Sequence, residues 1–330
     1  MHELRKDPLL GRWVAVLGES TPPSEYRFNE DNTSDTGCPL CPGGEGETQK
    51  EIASIREEGK WLVRVIPHFK PIFQIEGDLG RRGVGMYDRM NNIGANEIVI
   101  ETPEHNKTPE DMGTEQIMRV FSIYRDRLSD LERDARLRYV FVYKNHGKGA
   151  GAFFSHPHSL VVATPIIPKR IKEELDGAKH YYAYKERCIF CDMMREEMRM
   201  GERVIYETRD FIAFSPYAPK FVFEFWILPK RHGCAYQDIT PSEIEDLSLM
   251  MTTMIKKLRK VLNNPPYNYV IHTAPNRIPR KDHWHTLGED FHWHIEVMPR
   301  LIRMSGFEWG SGFYVLTTSP EEGAKYLREA

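Results

Sequence analysis

The sequence predicts an α+β protein of two duplicated halves, each an antiparallel sheet with packed helices. Three observations carry this. The same ordered set of chemistry-bearing residues occurs twice along the chain. In each half, runs of β-forming residues flank one long segment of helical periodicity. At 330 residues the chain is comfortable as two domains. The halves are expected to divide into 1–168 and 169–330. A linker is expected between Pro165 and Arg187, partly helical over Lys169 to Ala183.

The first half opens on Cys38-Pro39-Leu40-Cys41. Trp61–Ile66 and Glu97–Glu101 read as strands, and His105 follows. Thr108 then has the features of a helix N-cap, with Pro109 at the first helical position and Asp111 in the first turn. The helix is expected to run roughly to Arg136. Its apolar positions Ile117, Val120, Tyr124, Leu128 and Leu131 recur at helical spacing. Tyr139–Tyr143 reads as a strand, and His156-Pro157-His158 closes the half. The second half repeats the order. Cys188-Ile189-Phe190-Cys191 comes first, then strands Phe211–Phe214 and Phe223–Leu228, then His232. Thr240 caps a helix reaching roughly Asn263, with Ile244, Leu247, Met251, Met254, Ile255 and Leu258 on its apolar face. Strand Tyr269–His272 and His292-Trp293-His294 complete it.

Composition excludes several classes. A net charge of −3 offers no polyanion-binding surface, so nucleic acid is not an expected partner. No apolar run is long enough to span a membrane. The polar start, Met1 to Asp7, lacks the apolar core of a signal peptide, so a cytoplasmic location is the default. In a reducing compartment, two Cys-x-x-Cys pairs read as metal ligands or redox centres rather than disulfides. Neither has the strand–Cys-x-x-Cys–helix context of a thioredoxin-like motif.

Zinc takes four ligands drawn from thiolate and imidazole. The first half offers Cys38, Cys41, His105 and His156. The second offers Cys188, Cys191, His232 and His292. His294 also competes for the second site, and His292 is preferred as the counterpart of His156. The bland alternative packs the cysteines as small hydrophobes. His283 and His285 lie in a polar loop, either solvated or facing substrate. If His156-Pro157-His158 is extended, both imidazoles point to one face. One could hold a metal while the other attacks an electrophile such as phosphorus. Gly147 to Gly151 beside them allows close backbone approach to a ligand, or is simply a hairpin turn.

These residues resemble the galactose-1-phosphate uridylyltransferase family of the histidine-triad superfamily. The resemblance rests on Cys-Pro-x-Cys, the mid-domain His, Asn145 before the glycine-rich run, His-Pro-His and Phe291-His292-Trp293-His294. It extends to Leu4–Trp13 at one end and to Gly306–Phe313 with Pro320-Glu321-Glu322 at the other. It implies two histidine-triad-like domains and ping-pong transfer of a nucleoside monophosphate through a nucleotidyl-histidine. His158 would be the nucleophile, and His156, fixed by zinc, would orient it. Gly147, Gly149 and Gly151 would cradle phosphate, and Asn145 and Lys148 would contact the nucleotide or its phosphates. Asn145 as a simple turn residue stays open. The implied partners are a nucleotide sugar and a sugar 1-phosphate, and the implied assembly is a homodimer.

Three departures touch phosphate or nucleotide handling. Leu160 stands where galactose-type transferases carry a glutamine. Leu17 to Pro23 lacks the family's basic stretch. His68 replaces an asparagine and is a substrate-binding candidate. The leading reading is a uridylyltransferase taking UMP from a nucleotide sugar to a hexose 1-phosphate. The alternatives are a nucleotide-sugar (ADP-glucose-like) or dinucleotide phosphorylase using the same histidine, or a non-catalytic zinc-stabilised nucleotide-binding protein.

Overall fold

Ten strands hydrogen-bond into a single sheet in which every pairing is antiparallel. The computed structural model describes residues 2–28, 37–279 and 284–330. A terminal hairpin, β1 (Glu3–Lys6) and β2 (Trp13–Val16), precedes the first half. That half supplies β3 (Ala53–Glu57), β4 (Lys60–Pro67), a small outlying hairpin β5 (Arg82–Val84) and β6 (Tyr87–Arg89), then β7 (Ala95–Ile100). Helix α1 (Thr114–Leu131), β8 (Tyr139–His146) and β9 (His158–Thr164) follow. Helices α2 (Lys169–Lys185) and α3 (Ile189–Met200) lead into β10 (Val204–Glu207), β11 (Phe211–Phe214) and β12 (Phe225–Pro229). After them come α4 (Pro241–Leu262), β13 (Tyr267–His272), α5 (Leu287–Asp290) and β14 (His294–Pro299). The chain ends with α6 (Gly306–Ser311), β15 (Tyr314–Leu316) and α7 (Pro320–Glu329).

The duplication is written into the strand order. The first half runs β3-β4-β7-β9-β8 and the second β10-β11-β12-β14-β13, and β8 pairs with β13 to join them. Each half's inner edge is therefore satisfied by the other. Helices α1 and α4 cover one face. All the apolar positions expected on them are buried there, with Val63, Val65, Val161, Ile271 and Val297 of the sheet. Helices α2 and α3 cover the other face of the second half.

Two expectations need correction. Thr108 is not the cap of α1. It donates to the Asp111 carboxylate (2.6 Å), and the chain closes one turn through Asp111 N and Met112 N on the Thr108 carbonyl. Gly113 then breaks the path at φ 78°, and α1 starts after it and ends at Leu131. Thr240, in contrast, forms the full capping box with Glu243. The segment expected as a linker, partly helical over Lys169 to Ala183, is helical from Lys169 to Lys185 and docked rather than free. Ile171, Leu175 and Ala178 of α2 are buried, and so is Glu174 between them. Cys188 is the N-cap of α3 and follows α2 rather than a strand, as expected of a pair outside the thioredoxin-like context.

Candidate active site

His158 is the first residue of β9 and is 3% exposed. His156 precedes the strand, so pleating does not set the relation of the two rings; hydrogen bonds do. His158 Nδ1 lies 2.7 Å from the His156 carbonyl oxygen. A carbonyl only accepts, so Nδ1 carries the proton and Nε2 keeps its lone pair. Burial pushes the His158 imidazole down to about 4, opposed by the bond to the His156 carbonyl and reinforced by Lys144. The ring is therefore neutral and nucleophilic at pH 7. Phe154 meets it edge-on at 5.7 Å.

Beside it, the Cys38 and Cys41 thiols and the imidazoles of His105 and His156 bring one ligand atom each within 4.8 Å of one another. Cys41 Sγ is 3.2 Å from His105 Nδ1 and 3.4 Å from His156 Nδ1. The far nitrogen of His156 donates to the Thr102 carbonyl at 2.8 Å, and that of His105 meets Ser155 Oγ at 3.2 Å. The second half repeats this with Cys188, Cys191, His232 and His292. Cys191 Sγ is 3.4 Å from both Nδ1 atoms, while His232 Nε2 donates to Gly288 O and His292 Nε2 to Pro229 O. Such outer bonds fix the ring and leave Nδ1 free to ligate. Hydrogen bonding from Cys188 and then from His232 and His292 favours thiolate at Cys191. Two sulfurs and two imidazoles in each group fit a tetrahedral metal such as zinc.

His294 sits in the second half where His158 sits in the first. It opens β14, and its Nδ1 is 3.0 Å from the His292 carbonyl. Its surroundings differ. Glu174 Oε1 of α2 stands 3.0 Å from its Nε2, and His272 Nδ1 is 2.6 Å from the other Glu174 oxygen. Trp226, His272 and Phe190 rings pack within 4.8–5.0 Å of the His294 ring. The second half's imidazole is thus sealed, whereas the first half's opens on a cavity. Glu174, His272 and His294 form a third group able to hold a metal ion, and the sequence reading did not anticipate it.

The cavity, about 610 Å³, is bounded by the 105–109 loop, the 144–149 run, residues 152–158 and the end of α4. It gathers His105, Asn145, Gly147, Lys148, Gly149, His156 and His158 of the expected residues. His68 and Gly151 are not in its wall. The His68 Nδ1 accepts from Lys70 N, and the Gly151 carbonyl accepts from the Asn145 amide. Asn145 also accepts from Asn268 of β13 at 2.8 Å. Between Gly147 and Gly151, both at positive φ, the chain makes a 3₁₀ turn that takes up the N–H groups of Ala150, Gly151 and Ala152 internally. Fewer donors are left to face a phosphate than the glycine count implied. Arg259, Asn263 and Asn264 of the second half close the far side, with Arg259 tied to Glu110 at 2.7 Å. His285 is exposed, and His283 lies outside the described residues. Leu160 is buried in β9 between Ile98 and Tyr143.

Fold and site define an enzyme of the nucleotidyltransferase class. The chain belongs to the galactose-1-phosphate uridylyltransferase family, with residues 1–168 matching the N-terminal domain of that family and 174–315 its C-terminal domain. It is 31% identical to an ADP-glucose phosphorylase of Arabidopsis thaliana over 99% of this chain and 92% of that protein. It is 28% identical to a galactose-1-phosphate uridylyltransferase of Thermotoga maritima over 100% and 98%. Among solved structures, the Arabidopsis ADP-glucose phosphorylase with bound ADP-glucose superposes with a TM-score of 0.84 at 30% identity, covering 100% of this chain and 99% of that one. A uridylyltransferase structure gives 0.77 at 25%, covering 100% and 98%.

Proposed function

We propose that the chain moves a nucleoside monophosphate, UMP in the leading reading, from a nucleotide sugar to a hexose 1-phosphate through nucleotidyl-His158. The observation that carries this is the tautomer of His158, which is neutral, bonded through Nδ1–H to a carbonyl and left with Nε2 as its lone pair at a cavity. In the first step a bond forms between Nε2 and the α-phosphorus as the bond to the bridging oxygen breaks. Sugar 1-phosphate departs with the electron pair. The Nδ1 proton stays on the ring, and the His156 carbonyl stabilises the resulting cation. In the second step an acceptor phosphate oxygen displaces the imidazole and restores it. Splitting one displacement into two is the gain of covalent catalysis.

Zinc at Cys38, Cys41, His105 and His156, and at Cys188, Cys191, His232 and His292, is part of this reading. Its role is structural, holding the His156 main chain that orients His158. The division into 1–168 and 169–330, a cytoplasmic location and a homodimer belong to it as well. Among the described residues, no helix is long and apolar enough to cross a membrane.

A second reading, in which inorganic phosphate is the acceptor, is favoured by the full-length similarity to an ADP-glucose phosphorylase. Intact mass at neutral to alkaline pH tests both. The protein is mixed without acceptor with UDP-glucose, UDP-galactose, ADP-glucose or a dinucleoside polyphosphate, beside His158→Ala. A nucleotide adduct in the wild type alone establishes covalent transfer, and its mass names the base. Release by phosphate or by hexose 1-phosphate then names the acceptor. Absence of any adduct from metal-loaded protein that binds nucleotide refutes the enzymatic reading.

A further inference from the structure

Beside the nucleophile lies an ion pair that the chemistry above does not use, its lysine on the helix-facing side of β8 and at the border of the cavity. Lys144 and Glu101 are each 2% exposed, and Lys144 Nζ is 2.5 Å from Glu101 Oε2. Lys144 Nζ also donates to the His158 carbonyl at 3.1 Å. Strand parity explains the arrangement. Val161 and Ala163 of β9 face α1 and α4, so Ser159 does too, while His158 points the other way. Lys144 follows Val140 and Val142 on the same helix-facing side of β8.

Glu101 is anchored from several directions. Its N–H donates to the Pro157 carbonyl at 3.1 Å, and its own carbonyl accepts from Gln116 at 2.6 Å. Its second carboxylate oxygen is 3.2 Å from the Tyr124 hydroxyl, which is 2.6 Å from Ser159 Oγ. Glu101 and its ion pair thus grip the main chain at Pro157 and His158, and the neighbouring Thr102 carbonyl grips the His156 ring. A buried ion pair is a poor device for stability, because desolvation offsets its attraction. One whose cationic end is bonded to the nucleophile's own carbonyl is better explained by alignment.

We infer that Lys144, held by Glu101, is a positioning residue that fixes the main chain of His158 for in-line attack on the donor phosphorus. This deepens the proposed function and rests on it. Small displacements of a reacting group cost on the order of 10²-fold in rate, and that is the loss expected without the pair.

The test is single-turnover formation of nucleotidyl-His158, followed by intact mass with saturating donor. The variants are Lys144→Met/Glu101→Gln, which removes both charges and leaves neither unpaired, and Lys144→Arg, which keeps the cation. The double variant should bind metal as the wild type does and unfold cooperatively. It should form the adduct about 10²-fold more slowly, with half-saturating donor changed less than about threefold. Lys144→Arg should recover at least about a tenth of the wild-type rate. A folded double variant within about threefold of the wild-type rate, or an arginine variant as slow as the double, overturns the inference. Should the double variant not fold, Glu101→Gln alone decides, with a roughly tenfold loss expected and an unchanged rate overturning the idea. A wild type that forms no adduct overturns the proposed function and this inference together, whereas failure of the variants alone spares the former.

Discussion

Tyr124 provides a quantitative test of the seam between the halves. Its fully buried hydroxyl stands 2.6 Å from Ser159 Oγ, 2.7 Å from the Tyr269 hydroxyl of β13 and 3.2 Å from Glu101. Tyr124→Phe leaves the shape intact and strips one partner from each of three buried groups. At about 1 kcal/mol for each hydroxyl and somewhat more for the carboxylate, the loss is about 2–4 kcal/mol. Tyr269→Phe removes only one contact, since Tyr124 keeps its other two partners, and should cost about 1 kcal/mol. For 330 residues, an unfolding entropy of about 0.7 kcal/mol/K converts these losses to Tm decreases of about 4 °C and about 1–2 °C. The double variant should resemble Tyr124→Phe, because the bond between the two hydroxyls is lost only once. Scanning calorimetry of the metal-loaded protein measures all three. Equal decreases for the single variants, or a larger one for Tyr269→Phe, would show that the hydroxyl cluster is not organised around Tyr124.

Other expectations follow from the same geometry. Cys41→Ser, which removes the sulfur shared by His105 and His156, should lower bound metal by one equivalent by elemental analysis while the second group stays loaded. His158→Ala should abolish the adduct yet retain full metal content; an adduct persisting in that variant would move the nucleophile elsewhere. Thr240→Ala should cost about 1 kcal/mol in denaturant titration by breaking the capping box, with donor turnover unchanged. Burial raises the Glu321 carboxyl, but hydrogen bonds from Arg5 and Arg203 outweigh it and hold the group below its ordinary value. A depressed carboxyl stabilises above its unfolded value and loses that contribution as pH falls through the folded one. The Tm gap between wild type and Glu321→Gln should therefore be largest at neutral pH and close on acidification. A gap independent of pH would argue against an ionic role.

Much of the site could be read from the sequence because its residues are of rare type and recur in order. The two cysteine pairs, His105 with His156 and His232 with His292 converge as their duplicated order implied. What escaped was contributed across long separations by residues with ordinary names. Glu174 reaches His294 from a segment that read as a partly helical linker, although a glutamate between Ile171 and Leu175 on an apolar stripe was a usable signal. Lys144 was another, being a lysine on the inward parity of Val140 and Val142. Arg259 and Asn264 gave no such signal, because their place at the cavity depends on how α4 lies against the first half. Thr108 misled because a good local cap was overridden five residues later by Gly113.

The seam formed by β8 and β13 also bears on how the gene could be cut. Expressed alone, 1–168 would present Tyr139–His146 as a bare, largely apolar margin, and 169–330 would present Tyr267–His272 in the same way. Each fragment should then self-associate or precipitate on its own. Co-expressed, the two should find each other through that margin and rebuild the whole from separate polypeptides.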